Sequence, residues 1–512
     1  MANVEKQSAM AQELSSKIWE MANALRGNMD ASEYKNYILG LIFYRYLCLK
    51  MKSWFEEMYE EDFSNYKIRW DEGEIYEDAT EDCGYAIAPE YLFEKMIEMI
   101  DDGTFDVECL EKAINSIEES SKGTAGETAI ENVFEDMDLK SSKLGKTVQA
   151  RTDVIKKVLL QINLISFDFN DEEVDVLGSA YMILIAQFAS TAGKKGGEFY
   201  TPSTMSKLVS KLATIGKTDA LTVCDPACGS GSLLLQVKED INTRKLVGIE
   251  LNSSTYNLAR MNMLLHGLDY EKFQIYNGNT IEEQLIDPSQ KFEIQVANPP
   301  YSANWNPESA KNDPRYSAYG KMAPASKADF AFVQHMLYHM ADGDSRAVVL
   351  LPHGILFRGS GEAVIRKRIL TEMNCLDAVI GLPSNCFHGT GIPVCCLVFK
   401  NDRGTNKDNV LFIDASKDFV AGKAMNYIAE EHIDKIVNAY TSRKDIDKYC
   451  RVVSMKEIAE NEYNLNIPRY VDTCEEEETI DINAVRADLQ KHQEESRRID
   501  AELEDFFKQL GL

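Results

Sequence analysis

The sequence has a shortage of positive charge and lacks both paired cysteines and long apolar runs. Its eleven cysteines are scattered over 512 residues without a Cys-x-x-Cys pair, which argues against a disulfide framework and against a zinc site. No apolar stretch approaches the length that spans a bilayer, and the polar residues 1–6 lack the apolar core of a secretory signal. These absences predict a cytoplasmic protein with reduced, mostly buried cysteines and no membrane segment.

The charge balance limits what the isolated chain can bind. It carries 55 Lys and Arg against 83 Asp and Glu, a formal net charge of -28. Because Lys and Arg supply most of the non-specific affinity for phosphate backbones, we expect the chain alone to bind DNA poorly. Either the substrate is not nucleic acid, or a partner supplies the basic surface and the sequence readout; we favour the second.

The length predicts two or three units, each with its own core. Residues 13–167 show a helical 3.6-residue period, interrupted at 62–82 by an acidic, aromatic segment that we interpret as a loop insertion. Residues 172–414 alternate short β-rich runs with helical segments, which predicts a doubly wound, mostly parallel α/β sheet. The predicted strands are 221–223, 246–249, 273–276, 294–297, 347–351, 378–381, 395–399 and 410–413.

The chain ends in a charged segment that begins at Asp472. Its apolar positions fall in heptad register, and such a stripe needs a surface to cover it, either on the same domain or on another subunit. These positions are Ile482, Val485, Leu489, Ile499, Leu503, Phe506 and Leu510. We therefore predict three parts: a helical domain at 1–167, an α/β domain at 168–471 and a helical tail for subunit contact at 472–512.

A glycine-rich turn follows the first predicted strand, in the string Asp-Pro-Ala-Cys-Gly-Ser-Gly-Ser at 225–232. Gly229 and Gly231 leave room for a ligand against the N-terminus of the next helix. Asp225 can accept from a ligand amine or hold the turn, and Glu250, after the second strand, suits two ribose hydroxyls. Dinucleotide sites share this pattern, so the turn alone does not distinguish nicotinamide cofactors from S-adenosylmethionine.

The string Asn298-Pro299-Pro300-Tyr301, after another predicted strand, favours S-adenosylmethionine. An exocyclic amine on a purine is a poor nucleophile because its lone pair is delocalised. The side-chain oxygen of Asn298 and the carbonyl of Pro299 can accept its two hydrogens, and the prolines keep these acceptors rigid. Tyr301 offers a face on which an extruded base can stack. Cytosine carbon-5 methylation uses a Cys after Pro, and no Pro-Cys dipeptide occurs here.

Together these motifs resemble S-adenosylmethionine-dependent adenine amino-methyltransferases. Residues 196–202 resemble the segment that clasps the methionine end of the cofactor, and residues 277–280 resemble the contact to its adenine. Residues 24–35 are similar to the N-terminal helical domain of the methylation subunit of type I restriction-modification systems. Phe387 corresponds either to the family's second aromatic against the flipped base or to an ordinary core residue.

The resemblance implies a class I, Rossmann-like methyltransferase domain with an N-terminal all-α domain and a C-terminal helical tail. It implies methyl transfer to adenine N6 in duplex DNA, at a site read by a separate specificity subunit that binds two copies of this chain; a restriction subunit joins some such complexes. The expected catalytic residues are Asn298, Pro299, Pro300 and Tyr301, with Tyr301 and Phe387 stacking on the base. The expected cofactor residues are Glu198, Phe199, Tyr200, Thr201, Pro202, Ser203, Asp225, Gly229, Ser230, Gly231, Ser232, Glu250 and Asn279.

Two other functions use similar motifs. A protein glutamine or RNA base methyltransferase would present the same two acceptors to a planar amine, and a scaffold subunit would bind the cofactor without turnover. We expect no metal: His335 and His339 stand four apart on a predicted helix, but the Glu of a zinc hydrolase is missing between them. We interpret these two histidines as ordinary helix surface.

Overall fold

In a computed structural model of the chain, the structure describes residues 16, 19, 31–164, 171–191, 200–387, 390–423, 425–473 and 482–511. The chain divides into two compact units, Met1–Val471 and Asp472–Leu512. Within the described ranges, no helix is long and apolar enough to cross a membrane. The ten cysteines in those ranges are all free thiols, and nine of them are buried.

The first part of the larger unit is helical. Its helices are α1 (Ala31–Tyr59), α2 (Tyr66–Asp71), α3 (Ile75–Asp82), α4 (Phe93–Asp101), α5 (Val107–Ser120), α6 (Glu127–Ile130), α7 (Val148–Asn163) and α8 (Asp171–Thr191). The Asp106 carboxylate caps α5 by accepting from the Glu108 amide, and α5 buries Leu110, Ile114 and Ile117 at helical spacing. The helical period is thus confirmed, whereas the loop expected at 62–82 is wrong because α2 and α3 lie there.

The second part of this unit is one mixed sheet. Within the described ranges its strands are β1 (Asp219–Asp225), β2 (Asn242–Glu250), β3 (Phe273–Asn277), β4 (Ile294–Ala297), β5 (Arg346–Pro352), β6 (Leu376–Gly381), β7 (Val394–Lys400), β8 (Asn409–Asp414) and β9 (Cys450–Ser454). Their order is β3-β2-β1-β4-β5-β7-β6-β8-β9. Pairing is parallel except that β7 runs antiparallel to β5 and β6, and β9 antiparallel to β8.

Helices alternate with these strands along the chain. They are α9 (Ser203–Thr214), α10 (Ser232–Asp240), α11 (Ser253–Leu265), α12 (Pro314–Ser317), α13 (Asp329–Tyr338), α14 (Ser360–Arg368), α15 (Glu430–Ser442) and α16 (Met455–Glu460). Strand β5 shows how both faces of the sheet are buried: Val348 and Leu350 belong to one core cluster, and Val349 and Leu351 to another. This two-sided burial explains the continuous apolar runs of the central strands.

The fold prediction is largely confirmed. All eight predicted strands form, and the mostly parallel doubly wound sheet is present with an antiparallel β7 inside it. The first core cluster is continuous from α1 of the helical part to β1, for example from Phe43 to Val223. The helical part packs against α11, where the Tyr46 hydroxyl donates to the Leu264 carbonyl and Arg260 donates to the Glu131 carbonyl.

The smaller unit contains one long helix, α17 (Ile482–Leu510). The seven apolar positions predicted in heptad register are all exposed, from 46% at Leu503 to 72% at Leu510. A helix that is charged on one side and apolar on the other is stabilised by burial of its apolar stripe.

Candidate active site

The predicted site residues lie at one edge of the sheet, where strands β1, β2 and β4 have their carboxyl ends. Strands β1 and β4 are parallel neighbours, with Val223 opposite Ile294 and Cys224 opposite Gln295. The turn after Asp225 and the loop at Asn298 therefore leave the sheet side by side, about 5 Å apart in strand spacing. Strand β2 lies on the other side of β1 and ends at Glu250. In open α/β sheets, ligands bind outside such carboxyl ends.

The glycine turn has the backbone that the sequence predicts. Gly229 has φ 55° and Gly231 has φ 82°, angles that L side chains rarely adopt. Gly231 caps α10, and a Cβ added to it would lie 2.5 Å from the Cε atom of Met263. The Asn262 carboxamide donates to the Ser230 carbonyl at 2.7 Å, so a side chain of α11 fixes the backbone of the turn. Ser230 and Ser232 are both buried.

Asp225 is a fully buried carboxyl group with one uncommitted oxygen. Its Oδ1 accepts from the Ala227 amide at 3.0 Å, whereas Oδ2 has no hydrogen-bond partner among the described residues. Burial, together with the nearby charge of Glu250, raises the pKa of Asp225 to about 8. A buried acceptor of this kind is costly unless a ligand donor satisfies it.

Glu250 joins the glycine turn to the start of α11. Its Oε2 accepts from the Gly229 amide at 3.0 Å and its Oε1 from the Asn252 amide at 2.8 Å. Burial raises the pKa of this carboxyl group. The Gly278 amide donates to the Glu250 carbonyl, which brings the loop after β3, with Asn279, to the same edge. Two carboxylate oxygens have further lone pairs, so both can still accept from hydroxyl groups of a ligand.

Asn298 is held between two hydroxyl groups. Its Nδ2 donates to Thr201 Oγ1 at 3.0 Å, and its Oδ1 accepts from the Tyr301 hydroxyl at 2.8 Å. Thr201 comes from the segment before α9, so this contact brings a fourth predicted segment to the loop. Pro299 is buried and Pro300 exposed. Burial raises the pKa of the Tyr301 phenol, which is therefore a neutral donor.

The rings of Tyr301 and Phe387 lie together, with centroids 5.9 Å apart and planes at 84°. Phe387 is 5% exposed, as a core residue would be, yet it contacts the half-buried Tyr301 at the active edge. The edge-to-face contact is a favourable aromatic geometry. The structure thus brings the two aromatic residues together.

Most of the predicted cofactor residues meet at this edge, but not all are described. Glu198 and Phe199 lie outside the described residues. Tyr200 and Thr201 are buried, Pro202 is buried behind them, and Ser203 begins α9 with an exposed side chain. Asn279 accepts from the Ile281 amide at 3.2 Å through its own side chain.

The residues present fit S-adenosylmethionine. The free Oδ2 of buried Asp225 suits an ammonium group and Glu250 suits a diol. Between them, Gly229 and Gly231 leave space against a helix N-terminus. Cys228, within this turn, is buried, and a Cβ added to Gly248 would be 2.8 Å from its sulfur atom. Burial raises the pKa of Cys224 and Cys228. Within the described ranges, no group of three His, Cys, Asp or Glu is arranged for a metal.

Two buried ionic groups near the loop were missed by sequence reasoning. Arg315 is 2% exposed, pairs with Asp313 and donates to the Thr280 carbonyl and to His335 Nδ1. Asp329, fully buried, accepts from the Ser302 amide. The surface interpretation of His335 and His339 is wrong, because both are 2% exposed and belong to this buried group. No motif marks these residues, since only the folded chain brings them together.

Comparison with known proteins gives consistent matches. Residues 172–479 match the family model described as N-6 DNA Methylase, and residues 14–162 match the model of the HsdM N-terminal domain. The chain is 36% identical to the methylase subunit of the type I restriction enzyme MpnII from Mycoplasma pneumoniae, over 97% of this chain and 96% of that protein. It is 27% identical to the MjaIX methylase subunit from Methanocaldococcus jannaschii, over 98% and 92%.

A solved structure agrees with these matches. The crystal structure of the methyltransferase subunit of a type I restriction-modification system from Streptococcus thermophilus superposes with a TM-score of 0.84 at 41% identity. The superposition covers 90% of this chain and 100% of that one.

Proposed function

The chain belongs to the N-6 DNA methylase family, and from that membership we propose the roles of its active-site residues and of its tail. It is the modification subunit of a type I restriction-modification enzyme, a site-specific DNA methyltransferase that acts on adenine N6 with S-adenosylmethionine as the methyl donor. We assign catalysis to the loop 298–301. The observation that carries this assignment is the hydrogen-bonded chain from Thr201 through Asn298 to Tyr301, beside the glycine turn.

The loop makes an adenine amine reactive by holding its hydrogens. Asn298 Oδ1 accepts one amino hydrogen and the Pro299 carbonyl accepts the other, which draws the nitrogen towards tetrahedral geometry and frees its lone pair. Thr201 orients the Asn298 carboxamide through its Nδ2, so the direction of the side-chain oxygen is set before the substrate binds. Held by Asp225 and Glu250, the cofactor would supply an electrophilic methyl group. The adenine nitrogen, with its hydrogens held by Asn298 and Pro299, would accept that group, and the methylated amine would give up one proton to solvent.

The base reaches this loop only when it leaves the duplex. Tyr301 and Phe387 provide two aromatic faces at the edge of the sheet, and we assign them to hold the extruded adenine. Pro300 is exposed and stiffens the loop without touching the core. For the cofactor, we assign Asp225 to the ammonium group, Glu250 to the ribose and Asn279 to the adenine.

Replacement of Asn298 by Ala tests the assignment. It removes one amine acceptor and the bond to Tyr301, so methylation of DNA should fall below detection while cofactor binding stays within about twofold. Incorporation of radiolabelled methyl into DNA measures the first, and calorimetric titration with S-adenosylmethionine the second. Serine at the neighbouring exposed residue Asn304 serves as a control, since Asn304 faces solvent. Retained turnover in Asn298→Ala would refute the role of the loop.

We also propose that a specificity subunit reads the DNA and that two copies of this chain bind it, with a restriction subunit joining some complexes. The net charge of -28 supports this division, because sequence readout and phosphate contacts need basic residues that this chain has in short supply. The exposed apolar stripe of α17 is the part that we assign to subunit contact. The division into parts at 1–167, 168–471 and 472–512 remains part of this proposal, as does a cytoplasmic location, where DNA is found and thiols stay reduced.

Substitution within α17 tests the assembly proposal. Leu489 and Leu503 are 59% and 46% exposed, so Asp at both positions should leave the larger unit folded while reducing co-purification with the specificity subunit at least tenfold. Lys491→Asp, on the same helix but outside the stripe, is the matched control. If the variant with Asp at both positions is recovered with the specificity subunit as well as the unmodified chain is, the subunits contact each other elsewhere.

A further inference from the structure

The catalytic loop continues into a longer loop whose two ends are tied together. The Ala328 amide donates to the Ala303 carbonyl at 3.0 Å, and the Trp305 amide donates to the Ala325 carbonyl at 2.8 Å. The Trp305 indole also donates to the Pro324 carbonyl at 3.0 Å. We call these contacts, together with the pair Ser302 and Asp329, the neck. These bonds close the loop at its base, next to the helix that follows it, α13.

Asp329 occupies the innermost position of the neck. Its side chain is fully buried, and its Oδ1 accepts from the Ser302 amide at 2.8 Å. Ser302 directly follows Tyr301 and has φ 53°, a left-handed conformation that costs a non-glycine residue free energy. The bond to Asp329 offsets this cost and satisfies an amide that points into the protein. The direction in which the chain leaves Tyr301 thus depends on one carboxylate.

The other oxygen of Asp329 is bound by a cation. Arg358 donates to Oδ2 at 2.5 Å, and the same guanidinium lies 2.9 Å from Glu362 Oε2. Arg358 is 23% exposed in its side chain, whereas both carboxylates are buried. Carboxylates bound by Arg on one side and by a backbone amide on the other are held in a single orientation. The pair therefore fixes Asp329 as well as Ser302.

We propose that Asp329 is a positioning residue for methyl transfer: it holds the Ser302 amide and thereby sets where Tyr301 and Asn298 meet the base. This inference rests on the proposed function of the loop 298–301. Asp329 does not contact substrate or cofactor in this role. Its effect passes through the backbone of Ser302 to the ring and hydroxyl of Tyr301, which is bonded to Asn298. Small displacements of reacting groups are known to be costly in rate.

The test compares Asp329→Ala with Asp329→Asn in the methylase assembled with its specificity subunit and DNA. Ala removes the acceptor for the Ser302 amide, and turnover should fall on the order of ten- to a hundredfold with KM for S-adenosylmethionine unchanged. Asn keeps an oxygen for that amide but loses the charged pair with Arg358, so turnover should recover to within about fivefold of the unmodified enzyme.

Asp377→Asn is the matched control, because Asp377 is 2% exposed and pairs with Arg403 and Arg443. Asp377 lies where β6 begins, at the edge of the sheet away from the candidate active site. This substitution should lower the melting temperature and leave kcat unchanged. The inference is overturned if kcat stays normal in Asp329→Ala or does not recover in Asp329→Asn. It is also overturned if KM for the cofactor rises in parallel, or if Asp377→Asn loses kcat to the same extent. Asn298→Ala, run alongside, separates the two claims: if it stays active, the proposed loop function fails, whatever the Asp329 variants do.

Discussion

The hydroxyl of Tyr301 donates a 2.8 Å hydrogen bond to Oδ1 of Asn298, the atom that we assign to the adenine amine. In the free enzyme, the two loop residues to which we assign the base are therefore bonded to each other. An adenine amine placed at Asn298 Oδ1 would have to share this oxygen with the Tyr301 hydroxyl or displace it. The Asn298 oxygen is therefore satisfied until the substrate arrives.

Substitution of Tyr301 separates the hydroxyl from the ring. Tyr301→Phe keeps the stacking face and removes the competing donor, so kcat/KM for DNA should stay within about threefold. Tyr301→Ala removes the ring, and loss of base stacking, about 1–3 kcal/mol, should lower kcat/KM roughly ten- to a hundredfold. Steady-state methylation of a duplex with one target adenine measures both. Equal losses of kcat/KM in Tyr301→Phe and Tyr301→Ala would mean that the hydroxyl, not the ring, carries the function.

Cofactor binding should release a proton from Asp225. Its pKa of about 8 means that the free enzyme holds this proton at pH 7, and the cationic ammonium of S-adenosylmethionine favours the carboxylate. Calorimetric titrations at pH 7 in two buffers of different ionisation heat should show release approaching one proton, and release should vanish above about pH 9. Asp225→Asn should bind more weakly without buffer dependence. Identical heats in both buffers for the unmodified chain would contradict the assignment.

The same carboxyl group makes the stability of the free enzyme depend on pH. Between about pH 4 and pH 8 the folded chain keeps the proton on Asp225 while the unfolded chain loses it. The folded state then binds more protons, so the contribution of Asp225 to the free energy of unfolding falls as pH rises through that window. In Asp225→Asn this decline should be shallower, which thermal unfolding at pH 5 and pH 7.5 would reveal.

Alanine substitutions at Gly231 and Gly216 separate the effect of backbone strain from the effect of filling the proposed cofactor site. Both have positive φ, 82° and 75°, so Ala at either position should lower the free energy of unfolding by about 1 kcal/mol. Only at Gly231 does the added Cβ meet a neighbour, the Cε of Met263, at the helix end that we assign to the cofactor. Gly231→Ala should thus weaken the binding of S-adenosylmethionine at least tenfold, whereas Gly216→Ala should leave this affinity unchanged. Comparable cofactor affinity in both variants would place the cofactor elsewhere.

The isolated chain should bind DNA weakly at all salt concentrations near the physiological one. Its net charge of -28 opposes phosphate, so addition of the specificity subunit should tighten binding at least a hundredfold at about 0.15 M salt. Fluorescence anisotropy with a labelled duplex measures this, and a duplex without the target adenine serves as the control. Tight, salt-resistant binding by the chain alone would contradict the division of labour.

Sequence reasoning succeeded where a local pattern carries the information. The strands that lead to Asp225 and Asn298 are apolar runs bounded by turns, and the parallel order that places them side by side is common in such sheets. Strand β9 was missed because its residues, Cys450–Ser454, are short, mixed and at the sheet edge. The antiparallel direction of β7 depends on connections, not on composition.

The supporting residues of the site could not be predicted in the same way. Asp329 lies 27 positions after Ser302 and Arg315 lies 35 positions after Thr280, so only tertiary packing makes each pair neighbours. The bond between Thr201 and Asn298 likewise joins segments 97 positions apart. Motifs mark the groups that meet the ligand, whereas the groups that hold them are set by the fold.

Burial of Cys228 within the glycine turn has a chemical consequence for an enzyme of this kind. A sulfonium methyl donor alkylates thiolates readily, and a thiolate beside it would be consumed by self-modification. Burial raises the pKa of the Cys228 thiol, so the sulfur stays protonated and weakly nucleophilic, in contact with Gly248 and shielded from solvent. With the cofactor placed as proposed, a protonated thiol at this position would not compete with the substrate amine for the methyl group.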